Sequence, residues 1–302
     1  MLGSGMCFAY TEAKSLYEVG CVKVDANQWM EQKLIMLQKA DAMNLADILQ
    51  AHQLWLDSNG KEGTRLCLDD AELPKSHFEK AVLQEGLLRR VNFEGAHLRE
   101  VNLVRADLRE CRLVRALLWG ADLGEADLSD AVARDAILVG ARLHGARLER
   151  VDLKGANLAQ AELDKAILVE ASLVKAHLRN ARLVGADLKG ANLHGAFMAG
   201  ANLEGANLEG AILDGANLEG ARLRGANLNA AKLWGTVFRD AHLDEATLED
   251  ALVDEAVLEE VSVNGSGKRR SFKRPSGRVL SFPAGSSDSE VPEKAVRSKS
   301  RR

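Results

Sequence analysis

The sequence predicts an all-β solenoid of about ten four-sided coils, preceded by a small N-terminal α-helical cap. Three observations carry this. A bulky apolar residue recurs at every fifth position, as in Leu98, Leu103, Leu108, Leu113, Leu118, Leu123 and Leu128. A small residue stands two places earlier, as in Ala96, Ala106, Ala116, Ala121 and Ala126. The register holds without insertion from Leu66 to Gly265, about 40 repeats in all.

A period of five suits neither regular element. On a helix, five residues advance about 500°, which scatters the leucines around the cylinder. On a flat strand five is odd, so successive leucines fall on opposite faces. The conflict disappears if the chain turns a corner once per repeat. Every Leu then points inward from its own side, and the small residue beside it fills the tight interior. Four sides close a coil of about 20 residues, and β-like stacking of about ten coils at ~4.8 Å gives a rod of about 48 Å. Composition agrees: aromatic residues make up only 4% of the chain and Pro only 4 residues, so the core is Leu and Ala with a uniform cross-section.

The cleanest stretch, Ala186 to Ala230, reads ADLKG ANLHG AFMAG ANLEG ANLEG AILDG ANLEG ARLRG ANLNA. This A-(D/N)-L-x-x pattern resembles the pentapeptide-repeat family. The resemblance implies a right-handed quadrilateral β-helix with the central Leu or Phe and the small residue two before it facing inward. Gly at the last repeat position (Gly190, Gly195, Gly200) reads as corner geometry that exploits its φ freedom, not as a phosphate loop. One central position departs: Ala133 stands where its neighbours have Leu. Either Val132 turns inward to repack the site, or a local groove results.

Three regions follow: a helical cap region over 1–65, the solenoid over 66–265 and a basic tail over 266–302. An amphipathic helix is expected over 44–56, with Leu45, Ile48, Leu49, His52, Trp55 and Leu56 on one side and Asn59-Gly60 ending it. This lead-in is similar to one that precedes bacterial pentapeptide repeats, and it places His52 in packing rather than chemistry. A further helix is expected over 27–41, and 1–24 is ambiguous. The far coils are acidic (Asp240, Asp244, Glu245, Glu249, Asp250, Asp254, Glu255), a device against edge-to-edge stacking. The Ser-, Gly-, Lys- and Arg-rich tail carries roughly eight net positive charges and is expected to be disordered.

The chain offers little catalytic chemistry. Cys7, Cys21, Cys67 and Cys111 form no CxxC pair, and no nucleophile, base and orienting group stand together. No cofactor is called for, and the chain is not expected to be an enzyme. His77 falls directly beneath His97 in the next coil, but a metal needs a third ligand and the neighbouring Leu117 supplies none. No apolar run reaches the ~20 residues of a membrane span, and no cleavable signal is evident. The expectation is a reduced cytoplasmic protein, with signal-independent secretion compatible.

Surface columns are more informative. Stacking every 20 residues places His77, His97, Leu117, Ile137, Asn157, His177, Phe197, Asn217, Val237 and Val257 in one file, flanked by Trp119 and Val139. The candidate protein-binding column is therefore Leu117, Trp119, Ile137, Val139, Phe197, Val237 and Val257. Against it stands the reading that branched residues simply suit a β-ladder. The tail residues Lys268, Arg269, Arg270, Lys273 and Arg274 are an electrostatic candidate for nucleic acid or anionic membrane. Three functions are consistent with this pattern: a non-catalytic protein-interaction scaffold, with a homodimer compatible; a DNA mimic that protects a type II topoisomerase, as the resemblance implies for some members; and a secreted effector or localisation module. The second is weakened by Arg89, Arg90, Arg99, Arg105, Arg109, Arg112 and Arg115 in the N-terminal coils, because a duplex mimic needs acidity along the whole rod.

Overall fold

The computed structural model describes residues 45–254, 270–273 and 279–282. Among the described residues, helix α1 (Leu45–Asp57) comes first. Its stop is local: Asn59 and Gly60 both take positive φ, and the Gly60 N–H donates to the Trp55 carbonyl at 2.8 Å. Gly63 has φ +74, and a Cβ there would overlap the Ala51 carbonyl oxygen, so the chain returns past the helix where only glycine fits.

From Cys67 onward the chain coils. Parallel bridges link residues 20 apart, from Cys67↔Leu87 to Lys232↔Leu252, and each side contributes a single bridging residue. The sides are too short to form extended strands. They are a β-helix all the same, because the ladder between coils is continuous. The repeat Ala201–Gly205 accounts for every backbone donor. Ala201 N–H closes the corner on Met198 O at 3.0 Å, Asn202 N–H reaches Ala181 O in one neighbouring coil at 2.9 Å, and Leu203 and Gly205 N–H reach Arg222 O and Arg224 O in the other at 2.7 and 2.9 Å. The fifth donor, Glu204 N–H, has no backbone acceptor and is taken by the Asn202 side-chain oxygen at 3.1 Å. The same bond recurs at Asp122, Asp127, Asp152, Asn157, Asp187, Asn192, Asn207, Asn217 and Asn227. This is why the repeat prefers Asp or Asn before the central residue: a polar backbone group in a packed ladder is costly to leave unpaired.

Each corner is a turn in which only the last repeat residue takes positive φ, the type II pattern. Gly205 (φ +65) meets this freely, whereas Arg105 (φ 56) and Glu125 (φ 56) adopt it with side chains attached. The interior is one continuous column of buried Leu and Ala, with Phe78, Phe93 and Phe238 towards its ends and Phe78 edge-on to Phe93 at 5.9 Å. Where Cys111 and Thr236 replace Ala, each sends its side chain to the carbonyl of the central residue one coil earlier. Cys111 Sγ donates to Leu88 O at 2.7 Å, and Thr236 Oγ1 donates to Leu213 O at 2.9 Å.

Ile48 and Leu49 of α1 pack on the first coil. His52 is fully buried between them: its Nδ1 accepts the Leu66 N–H at 3.0 Å and its Nε2 donates to Gln84 O at 2.9 Å. That pair of bonds requires the neutral imidazole with its proton on Nε2.

Two expectations are corrected. Val132 does not turn inward; it keeps its bridging place between Arg112 and Asp152, and Ala133 remains the buried central residue. The ladder on both sides of it holds this arrangement, with Val132 N–H on Cys111 O and Ala133 N–H on Asp152 O, each at 2.8 Å. In the tail, where composition favours disorder, Arg270–Lys273 (β1) and Val279–Phe282 (β2) pair antiparallel, with Phe272 opposite Leu280. These are the points where β-favouring Phe, Val and Leu interrupt the Ser/Lys/Arg composition. The expected helix over 27–41 lies outside the described residues.

Burial holds the His52 pKa below its ordinary 6.5, outweighing the hydrogen bond to Gln84 O, which raises it. A depressed histidine contributes stability that is complete above pH 6.5 and is lost as pH falls through that value, because only the unfolded state then gains the proton. His52→Ala should cost about 2–4 kcal/mol in urea unfolding at pH 7.5. Its stability should also fall less than the parent's between pH 7.5 and 5.5, and identical pH slopes would exclude this role. Ala133→Leu should raise the unfolding midpoint, with about 1–2 kcal/mol regained from apolar burial; a lower midpoint would mean that Leu113 and Leu153 already fill the space.

Candidate interaction face

The stacking of the predicted file is direct. Bridges run His77↔His97, His97↔Leu117, Leu117↔Ile137, Ile137↔Asn157, Asn157↔His177, His177↔Phe197, Phe197↔Asn217 and Asn217↔Val237. Leu117, Ile137 and Val237 are half-buried by their neighbours, while Phe197 and Trp119 remain 47% and 49% exposed. The His177 ring stacks on Phe197 with centroids 4.7 Å apart. Val139 sits half-buried two residues beyond Ile137. Val257, Lys268, Arg269 and Arg274 lie outside the described residues; Arg270 and Lys273 stand at the two ends of β1.

Hydrogen-bond accounting separates two kinds of position within this file. Asn157 and Asn217 cap the N–H groups of Ala159 and Glu219 at 3.1 and 2.9 Å. Leu117, Ile137, Phe197 and Val237 have no side-chain acceptor to offer Trp119, Val139, Ala199 and Arg239. Asp or Asn at these positions would supply that acceptor, as Asn157 and Asn217 do.

The electrostatics of the other sides differ. All seven N-terminal arginines form close pairs with carboxylates of the same or neighbouring coils, Arg99 with Glu100 at 3.1 Å. Arg89 meets the buried Asp69 at 2.9 Å, Arg90 meets Asp70 at 2.6 Å, Arg105 meets Glu125 at 2.9 Å and Arg109 meets Asp107 at 2.6 Å. Arg112 and Arg115 share Glu94 at 2.8 and 2.7 Å. Burial pushes the Asp107 carboxyl up, but hydrogen bonding and charge from Arg109, with Arg89 beyond, outweigh it and leave it below its ordinary value. The buried Cys111 thiol is pushed up to about 12, chiefly by burial, which removes it as a nucleophile.

Two features escaped the sequence reading. Trp234, 40% exposed, lies on the side just before that of Val237; its only sequence signal is the repeat position it shares with Trp119. The third residue beside the His pair is Glu79, from the same side as His77 rather than from the next coil. Both imidazoles direct Nδ1 at Glu79 Oε1, at 3.1 Å from His77 and 3.3 Å from His97. The Glu79 carboxyl is held below its ordinary value, first by its own backbone N–H and then by His77. Among the described residues, no helix is long and apolar enough to cross a membrane.

The family model described as pentapeptide repeats (8 copies) matches residues 76–113, 111–150, 146–183, 181–220 and 221–259, more than half of the chain. The chain belongs to the pentapeptide-repeat family. Family membership brings the right-handed quadrilateral β-helix, in keeping with the 20-residue bridge period. Among solved structures, this pentapeptide-repeat protein is similar to HetL, a family member involved in regulating heterocyst differentiation in the cyanobacterium Nostoc sp. strain PCC 7120, at 34% identity over 69% of this chain and 98% of that one, with a TM-score of 0.36. It is also similar to QnrB1, a plasmid-mediated fluoroquinolone resistance protein, at 18% identity over 65% and 94% of the two chains (TM-score 0.40). A third is a pentapeptide-repeat protein of the Arabidopsis thaliana thylakoid lumen, at 26% identity over 48% and 83% (TM-score 0.27). Comparison with curated proteins gives no significant match.

Ile137→Asn should leave thermal stability unchanged or raise it, since the new side chain can accept the Val139 N–H, a bond with a net worth of about 1 kcal/mol. A clear loss of stability would return this position to ordinary ladder packing.

Proposed function

We propose that this pentapeptide-repeat protein is a non-catalytic interaction scaffold that holds a protein partner along the face of Leu117, Trp119, Ile137, Val139, Phe197 and Val237. The supporting observation is the exchange made on this file: apolar side chains occupy positions where Asp or Asn would complete the backbone hydrogen bonding. Trp119 and Phe197 supply large, rigid apolar area with few torsions, the kind of anchor that dominates protein interfaces. In this reading the rod has about ten coils, Val257 continues the face, and α1 closes the N-terminal end while the acidic last coils guard the other. The site of action is the cytoplasm. Lys268, Arg269, Arg270, Lys273 and Arg274 add a salt-dependent attraction to nucleic acid or anionic membrane rather than specificity.

A topoisomerase-protecting duplex mimic is the weaker reading, because it needs uncompensated acid along the rod. The arginine–carboxylate pairs neutralise much of the N-terminal half. The double variant Trp119→Glu/Phe197→Asp should fold as the parent does and lose a protein that the parent retains in a pull-down. Equal recovery by both chains would overturn the assignment.

A further inference from the structure

The N-terminal end of the same face gathers two imidazoles and a carboxylate. His77 and His97 are bridged partners in adjacent coils, with ring centroids 4.3 Å apart. Glu79 stands two residues beyond His77, past the inward Phe78, so it returns to the outer surface beside both rings. One potential ligand atom from each residue lies within 4.8 Å of the other two. The fold fixes this meeting: equivalent positions in successive coils project in one direction at the ~4.8 Å stacking distance.

We propose that His77, Glu79 and His97 form a surface binding site for a divalent transition metal of the zinc class. Two ligands bound at about 2.0–2.1 Å to one tetrahedral or octahedral centre lie roughly 2.9–3.4 Å apart. The two Nδ1–Oε1 separations, 3.1 and 3.3 Å, fall within that interval. The donor set selects the metal. Two imidazole nitrogens and one carboxylate oxygen suit Zn²⁺, Ni²⁺ or Cu²⁺, whereas Ca²⁺ requires six to eight oxygens and Mg²⁺ a near-ideal oxygen octahedron. The metal takes the place of the two imidazole–carboxylate contacts, with Nδ1 of each ring as the ligating atom. Three protein ligands leave at least one position for water or for an incoming side chain. A loaded site is therefore a coordinating end-point on the face that carries Leu117 and Trp119 one coil further on.

The test is titration of the full, untagged chain with zinc chloride against a competing chromophoric chelator, with imidazole NMR resonances followed in parallel. His77→Ala, His97→Ala and Glu79→Gln should each weaken zinc binding at least about tenfold, the cost of losing even an outer-shell partner of a metal ligand. His177→Ala, an exposed histidine elsewhere on the face, should leave affinity unchanged, and calcium chloride should not perturb the His77 and His97 resonances. All four side chains are wholly or partly solvent-accessible, so unchanged circular dichroism and melting are expected, and Glu79→Gln keeps the shape of the site. Zinc affinity equal to the parent's in the three site variants, or the absence of zinc-dependent shifts at His77 and His97 in the parent, would overturn the proposal. Loss of zinc binding independent of the scaffold's protein partner leaves the two proposals separately testable.

Discussion

The backbone ladder between coils is the constraint from which the other features follow. Each repeat must place five N–H groups, and stacking at a fixed offset of 20 residues accommodates four of them. Three go to the coils before and after, and one closes the corner. This arrangement leaves the side chain before the central residue to serve the fifth, and it points the central and small residues into one column filled mainly by Leu and Ala, with Phe towards its ends. The amino-acid preferences of the repeat are thus consequences of hydrogen-bond accounting first and of hydrophobic packing second.

Much of the architecture was legible because it depends on period and phase. Five-residue recurrence identifies the inward positions, and folding the sequence at 20 aligns His77 with His97 and Phe197 with His177, as the bridges do. The helix was legible from the spacing of Ile48, Leu49 and His52 against the Asn59-Gly60 stop. Other features were not, for physical reasons. Column-wise folding compares residues between coils, whereas Glu79 joins the His pair from within one side. Volume alone left open whether Val132 turns inward beside Ala133, and the ladder that holds its backbone on both sides decides against it. The β1–β2 pair depends on a few β-favouring residues in a segment whose average composition points the other way.

The surface divides by chemistry along the same frame. Sides rich in Arg, Asp and Glu form ion-pair chains such as Asp69–Arg89–Asp107–Arg109, whose members span successive coils. Because most of these pairs are exposed, they contribute modestly one by one, and the buried Asp69 carboxylate is the member most dependent on its partner. On the apolar file, Leu117, Ile137, Phe197 and Val237 interrupt the Asp/Asn caps that Asn157 and Asn217 keep. The same side leaves Trp119 and Phe197 about half exposed.

The uninterrupted 20-residue period also limits how such a rod can change length. Adding or removing one five-residue unit preserves the core, since inward positions still fall on inward positions. Everything downstream, however, moves round by one side of the square. Leu117 and Ile137 would then stack above residues from a neighbouring file, and the strip running on to Phe197 and Val237 would be severed and turned by a quarter. Only whole coils can be gained or lost without re-aiming the surface, so the surface pattern constrains length in units of 20 residues although the fold tolerates units of five.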